Sequence, residues 1–306
     1  MRVTRAGFST IELLIVMVLG GIVAAAIGGV LRRQQRFFTN AASLVEQRVS
    51  LRDATGILPG ELRALSPIAG DVLAFSDSAL EVRATIGAAV ACDTVAGGGA
   101  IDLVPAQAAS AQRLTAFATT PQSGDIALVY DSDASADSPR DSSTTGWTRL
   151  DVASAATRMD VCATSPLIDR TGSTPAARLQ LRFTAGTRIP PSVGPGAFVR
   201  VLRRVRYRFY RASTNDWFLG YSEWDGTAFG VVQPVSGPYS AYSRRGGSGL
   251  SLRYFDDSGG LVASAADAAR IARIEIVVRG TPGAGMSGSS RAYTDSQTVT
   301  VRVRNR

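Results

Sequence analysis

The sequence predicts an α+β protein, in which one long N-terminal helix packs on an antiparallel β-sheet head. Two observations support this fold class. From Phe8 to Leu58 the chain carries apolar residues, first in an unbroken run and then at helical spacing, with no proline before Pro59. From about Asp71 onward, short alternating or β-branched runs are separated by turn residues. The chain has 306 residues, of which 45% are hydrophobic and 19% charged, so a large folded head is expected.

The composition excludes many kinds of enzyme. Histidine and lysine are absent, all 33 basic residues are arginine, and there are two cysteines. These absences remove Ser/His/Asp triads, Cys/His dyads, Cys/His zinc sites, P-loop lysines and Schiff-base chemistry. Much of enzyme chemistry is therefore excluded before any motif is considered. An enzyme that acts through Asp and Glu pairs is left, but no paired carboxylates stand out in spacing, so we expect no enzyme, no cofactor and no bound metal. The net charge of +8 is spread along the chain, which favours a solvated surface over a nucleic-acid interface.

The first part of the helix has the length of a membrane span. Nineteen uncharged, apolar residues run without interruption from Leu13 to Leu31, which corresponds to about 28 Å of helix. Arginines flank the run on both sides, so the positive-inside rule does not fix its orientation. Glu12 lies at the head of the run. A carboxylate costs about 2.5–3.5 kcal/mol at the centre of a membrane helix and less near its end, so Glu12 is a functional candidate.

Two ordinary interpretations of this segment leave Glu12 unexplained. A secretory signal peptide has an apolar region of about 7–15 residues, followed by small residues at the cleavage site. The residues Ala24–Ala26 would supply such a site, but the apolar run is too long. A plain membrane anchor fits the length and gives the carboxylate no role.

The stretch from Gly7 to Leu14, GFSTIELL, resembles the class III signal of type IV pilins and pseudopilins. The resemblance implies that a prepilin peptidase cuts after Gly7 and that the new N-terminal residue, Phe8, is N-methylated. It also implies that Glu12 pairs with the N-terminal ammonium of a neighbouring subunit during assembly. That pairing would turn a costly carboxylate into an ion pair. Thr10 departs mildly from the leucine that is common in the motif.

The resemblance implies a pilin-like organisation of the chain. Residues 1–7 would be the prepilin leader, 8–31 the transmembrane half of the helix, 32–65 its amphipathic half, and 66–306 a β-rich head in the periplasm or outside the cell. The expected function is that of a minor pilin or pseudopilin, a structural subunit of a type IV pilus or a type II secretion pseudopilus. The closing residues look like the final hairpin of PilW-like minor pilins and J-type pseudopilins.

The expected partners and location follow from the same resemblance. The partners are other pilin or pseudopilin subunits, the prepilin peptidase and the inner membrane. The protein would span the inner membrane once, with its head in the periplasm, and would then reach the pilus or cell surface. The alternative is a signal-anchored periplasmic β-domain binding protein that belongs to no filament.

The second half of the helix is expected to pack on the head. Apolar residues recur there at helical spacing, namely Phe37, Ala41, Leu44/Val45 and Leu51. Pro59 is expected to end or kink the helix. The alternative is two helices that are separated near Gly28-Gly29.

The head is predicted to contain eight strands. They are Ala79–Thr85, Asp125–Tyr130, Ala177–Phe183, Ala197–Tyr210, Trp217–Trp224, Leu250–Phe255, Ile271–Arg279 and Gln297–Val303. The polar, low-complexity stretch 131–146 is predicted to be a loop. Cys92 and Cys162 fit no CxxC motif. Outside the cytoplasm they would form a disulfide that closes a loop of about 70 residues, and in the cytoplasm they would be two buried thiols.

Three motifs in the head are candidates for binding. Arg204, Arg206 and Arg208 share one face of a predicted strand, which could serve DNA, a lipid headgroup or an acidic subunit. A solvated face of a half-buried strand is the favoured interpretation, because alternation alone produces it and no aromatics accompany the arginines. Asp131, Asp133 and Asp137 fit only part of a calcium-binding EF-hand loop. The GxGxxG motif at 283–288 precedes a predicted strand, whereas a dinucleotide-binding motif precedes a helix.

Overall fold

The N-terminal helix is continuous and much longer than the head that it joins. The structure is a computed structural model and describes residues 9–95, 99–105, 114–131, 146–159, 162, 177–280 and 295–303. Helix α1 covers Thr10–Arg63, 54 residues or about 80 Å, and it passes Gly28-Gly29 without a break. It also passes Pro59, where the sequence predicted an end or a kink. One further turn forms because Leu58, Leu62 and Leu65 are buried in the core of the head.

Thirteen strands follow α1 in the described residues. They are β1 Val72–Phe75, β2 Ala79–Thr94, β3 Ala100–Leu103, β4 Ala116–Phe117, β5 Ile126–Tyr130, β6 Trp147–Arg158, β7 Arg178–Phe183, β8 Phe198–Arg211, β9 Trp217–Glu223, β10 Gln233–Tyr239, β11 Leu250–Phe255, β12 Arg273–Arg279 and β13 Ser296–Arg302. A short 3₁₀ helix, Ala265–Arg270, lies between β11 and β12. A long helix followed by antiparallel sheet confirms the predicted α+β class.

Six strands close into a small barrel. The pairing runs β2-β3-β7-β6-β5-β8, and β8 pairs again with β2, so the ring is complete and every pair is antiparallel. Side chains from all six strands fill the interior, among them Ile101, Leu150, Leu181 and Val199. A six-stranded barrel is narrow enough for side chains to fill it. The sequence predicted strands in this region but not their closure.

The second half of the head is a layered core that includes α1. The first part of β2 and the second part of β8 leave the barrel and continue as an open sheet with β1, β9 and β10. The strands β11-β12-β13 form a separate sheet. One apolar core joins both sheets to the helix through residues such as Leu58, Val82, Val205 and Ile276. Strands β2 and β8 therefore run through both cores.

All eight predicted strands are present, within a few residues at their ends except that β2 is nine residues longer. Five strands were not predicted, namely β1, β3, β4, β6 and β10. The reasons lie in their composition: β6 is rich in alanine and serine, and β10 contains both proline and glycine. The remaining three have four residues or fewer, too short to show a period.

The predicted packing stripe on the helix is partly wrong. Phe37 and Val45 are more than 60% exposed, while Leu51 is 3% exposed. Among the residues of α1 whose side chains the structure describes, the first buried one is Gln47, and Leu44 of the predicted stripe is not among them. The physical reason is that the described part of the head covers only the last part of α1, so Phe37 and Val45 stay exposed.

Candidate functional site

The first part of α1 is an exposed apolar helix. The segment Thr10–Thr39 has a mean hydropathy of 2.6 in its most apolar stretch, and none of that stretch is buried within the chain. By length and composition it is able to cross a membrane. Exposed aromatic residues continue beyond the predicted span, since Phe37 and Phe38 are 69% and 68% exposed. So large an apolar surface requires a partner or a bilayer.

Glu12 is the one acidic residue in this segment. It lies in the first turn of α1 and is exposed. Ser9 caps the helix: its Oγ accepts a hydrogen bond from the backbone N–H of Ile11 (3.4 Å). A carboxylate in the first turn also interacts favourably with the helix dipole. Gly7 and Phe8, the predicted cleavage and methylation positions, lie outside the described residues.

A small polar cluster fixes α1 to the head. The Ser50 hydroxyl on the helix donates to the Gly237 carbonyl of β10 at 2.8 Å. In return, the Tyr239 hydroxyl donates to the Ser50 carbonyl at 2.8 Å and lies 2.7 Å from Ser236 Oγ. Because these contacts surround the first buried turn of the helix, the bare segment projects from a rigid base.

Cys92 and Cys162 form a disulfide at one end of the barrel. Their Cα atoms are 5.5 Å apart, within the usual range for a disulfide. Both residues are at most 2% exposed and pack against Val90, Val104 and Leu114. Such a bond persists in an oxidising compartment and is rare in the cytosol.

Strand β8 presents the arginine face that the sequence predicted. Arg204, Arg206 and Arg208 lie on one face, and Val205, with its alternate neighbours, lies in the core on the other. Two of the arginines are not simply solvated. Glu81 on β2 is 6% exposed and forms ion pairs with Arg204 (2.5 Å) and Arg206 (2.8 Å).

Aromatic rings also reach this face, contrary to the expectation from the sequence. The Arg204 guanidinium lies 4.3 Å from the Trp224 ring centroid, and that of Arg206 lies 3.8 Å from the Phe229 ring centroid. These distances are typical of cation–π contacts. The strand pattern of β8 gave no sign of the rings, because they come from the end of β9 and the turn after it.

A buried ion network around Arg203 was not predicted at all. Arg203 is 3% exposed. Its guanidinium forms a bidentate ion pair with Asp125 (2.8 and 2.9 Å) and a single contact with Glu223 (2.7 Å). It also donates to Thr119 Oγ1 and the Thr120 carbonyl. The hydrogen bonds to Asp125 raise the pKa of Arg203 above its usual range. The sequence held one signal: in LRRVR, Arg203 occupies a position on the apolar face of the alternation.

Metal-binding residues do not cluster in the described part of the chain. No group of three or more His, Cys, Asp or Glu side chains there lies close enough together to hold a metal ion. Asp131 is buried and accepts a hydrogen bond from Ser192 Oγ at 2.5 Å. Asp133, Asp137 and the glycine motif at 283–288 lie outside the described residues.

Comparison with known proteins gives no match. No protein-family model, curated protein or solved structure is similar to this chain at a significant level. The function must therefore be inferred from the residues and their arrangement.

Proposed function

We propose that this chain is a minor pilin or pseudopilin, a structural subunit of a type IV pilus or of a type II secretion pseudopilus. The observation that carries the proposal is the bare, 30-residue apolar segment with one carboxylate in its first turn. That carboxylate, Glu12, lies within the stretch from Gly7 to Leu14 that resembles the class III signal. A prepilin peptidase would cut after Gly7, Phe8 would be N-methylated, and Glu12 would pair with the ammonium group of a neighbouring subunit.

The shape of the chain supports assembly through the helix. The described residues of the head do not cover the segment, while the following turns are fixed to the head through Ser50 and Leu51. An apolar helix held this way can remain in the inner membrane before assembly and then pack against other subunits. Exposed Phe37 and Phe38 extend the apolar surface toward the head, where lipid no longer covers it.

The head supports a minor subunit outside the cytoplasm. The disulfide between Cys92 and Cys162 fits the periplasm or the cell surface. A head with two cores and a closed barrel is bulky for the repeating shaft of a filament, which favours a position at the tip. In this proposal the protein does no chemistry; its partners are other subunits, the prepilin peptidase and the inner membrane.

The start of the mature chain tests the proposal. Protein purified from its native membrane is expected to begin at Phe8 with a methylated N-terminus, as measured by intact mass and N-terminal sequencing. A start near Ala26 would indicate an exported soluble protein, and an intact Met1 would indicate a plain membrane anchor. Either result would contradict the proposal and favour the anchored or secreted binding protein.

Glu12→Ala is expected to leave cleavage and membrane insertion intact and to reduce incorporation into filaments about tenfold or more. The reason is that the neighbouring ammonium group would remain buried without a partner, a loss of about 3–5 kcal/mol for a buried pair. The measurement is the amount of the subunit in sheared filaments relative to the membrane fraction.

The matched control is Glu46→Ala, which removes an exposed carboxylate from the same helix, beyond the apolar segment. It is expected to assemble like the wild type. Normal incorporation of Glu12→Ala, or an equal defect in Glu46→Ala, would argue against the pairing.

A further inference from the structure

A groove on the head lies where the barrel meets the open sheet. Its volume is about 530 Å³, and its walls come from β1, β2, β5, β6 and β8. Three arginines, Arg83, Arg149 and Arg204, line it together with Trp224. Because side chains alternate along a strand, Arg83 and Arg204 lie on the face opposite Val82 and Val205, which pack toward α1. The groove therefore opens on the side of the sheet away from the helix.

The guanidinium groups of these arginines repel one another, which lowers the stability of the head. Arg83 on β2 and Arg204 on β8 are directly paired in the ladder, on the same face of the sheet. Like charges in such a pair destabilise a sheet. Arg149 on β6 adds a third guanidinium. Burial, followed by repulsion from Arg149, lowers the pKa of Arg83.

Among the residues that the structure describes, no carboxylate forms an ion pair with Arg83 to offset this cost. Its Nη1 donates to the backbone carbonyl of Gly70. Asp71 and Asp151 attract it from a distance, but neither lies within 4.0 Å of its guanidinium nitrogens. Arg149 has only a loose contact, 3.7 Å, with Asp151 on its own strand. A partly buried guanidinium among like charges is stabilised when an anion is supplied.

Arg204 is held in place before any ligand arrives. Glu81 fixes it at 2.5 Å, and the Trp224 ring lies 4.3 Å from its guanidinium. Glu81 also pairs with Arg206, so its one charge is shared between two arginines. Three arginines, 83, 149 and 204, line the groove with two carboxylates, those of Glu81 and Asp151, so the lining carries an excess of positive charge. An anion in the groove would offset that excess.

We propose that this groove binds a phosphate or sulfate group, held by the guanidiniums of Arg83, Arg149 and Arg204. A phosphate monoester carries about −1.5 to −2 charges at neutral pH, which would offset the excess positive charge of the lining. Its tetrahedral oxygens can meet guanidiniums that approach from three strands, whereas a carboxylate offers two oxygens in one plane. The inference does not depend on assembly into a filament.

Titration calorimetry on the full chain in a nonionic detergent, without phosphate in the buffer, tests the proposal. The probes are inorganic phosphate, inorganic sulfate and glucose 6-phosphate, with acetate as the carboxylate. Saturable binding of phosphate or sulfate at one site per chain is expected. Arg83→Gln and Arg149→Gln are each expected to weaken it about tenfold or more, since a charge-assisted hydrogen bond is lost. Binding of glucose 6-phosphate as well would assign the site to esterified phosphate, and its exclusion would assign the site to the free ion.

The matched control is Arg208→Gln, which removes the same charge from the same face of β8 but does not line the groove. It is expected to keep the wild-type affinity within about twofold. Three outcomes would overturn the proposal: no saturable binding of phosphate or sulfate, acetate binding as tight as phosphate, or an equal loss in Arg208→Gln. If Arg83→Gln does not fold, Arg149→Gln decides the question, because the Arg149 side chain is 47% exposed and its loss leaves no buried partner.

Discussion

Arg203→Met is expected to lower the free energy of unfolding of the head by about 3–5 kcal/mol. The substitution would leave the Asp125 carboxylate, which is 1% exposed, without its cation, and Glu223 without its closest partner. Methionine fills a similar volume, so the loss would come mainly from the unpaired charge. The measurement is guanidinium-induced unfolding of the full chain in nonionic detergent, followed by tryptophan fluorescence.

Two further variants separate the ion pair from simple packing. Arg208→Met removes an exposed arginine of the same strand and is expected to change the free energy of unfolding by about 0.5 kcal/mol or less. Arg203→Met combined with Asp125→Asn is expected to be less destabilised than Arg203→Met alone, because no charge is then left buried. Asp125→Asn is measured alone as well. If the loss of stability in the double variant equalled the sum of the losses in Arg203→Met and Asp125→Asn, the charge explanation would be wrong.

The combined substitution Cys92→Ala and Cys162→Ala is expected to lower the free energy of unfolding by about 4 kcal/mol. The disulfide spans 70 residues, and such a cross-link restricts the unfolded chain far more than the folded one. The same measurement of guanidinium-induced unfolding applies, with and without a reducing agent for the wild-type chain.

The single variants provide the control for this prediction. Cys92→Ala alone and Cys162→Ala alone are each expected to cost nearly as much as the pair, because one substitution already opens the bond. Adding reducing agent is expected to bring the wild type close to the double variant. Losses that simply add, or a wild type insensitive to reduction, would show that packing of the two buried sulfurs matters more than the bond.

Long elements with a clear period were predictable from the sequence. Helix α1 carries an unbroken apolar run followed by apolar residues at helical spacing, and β8 alternates over most of its fourteen residues. Both were found within a few residues of their predicted ends. Strand β6 was missed because its second half, ASAATR, has little β-branched or aromatic character and is held by pairing with β7 rather than by propensity.

Closure of the barrel could not be predicted from the sequence. It depends on β2 pairing with β3 and with β8 on opposite edges, and on β5 and β6 completing the ring. Each strand shows only which of its faces is apolar, and that pattern is the same in an open sheet. Partners separated by a hundred residues leave no local trace.

Some candidate sites have a local signal in the sequence, and others form only when distant segments meet. Glu12 was identified because a single carboxylate interrupts an apolar run, which is a local signal. The arginine face of β8 was also predicted, but its partners Glu81 and Trp224 come from distant segments. The groove needs Arg83, Arg149 and Arg204 from three strands, so no stretch of sequence could reveal it.

The pairing of β2 with β8 has a consequence for how the head folds. Val90 pairs with Phe198, which lies 108 residues later in the chain, and contacts between such distant residues make folding slow. The cross-link between Cys92 and Cys162 bypasses 70 of those residues, leaving an effective separation of 38. This shortening reduces the entropy lost on joining the two strands by about 1 kcal/mol. Oxidation of the thiols before the strands meet would therefore speed closure of the barrel, so the order of these two events would set how quickly the head reaches its folded state.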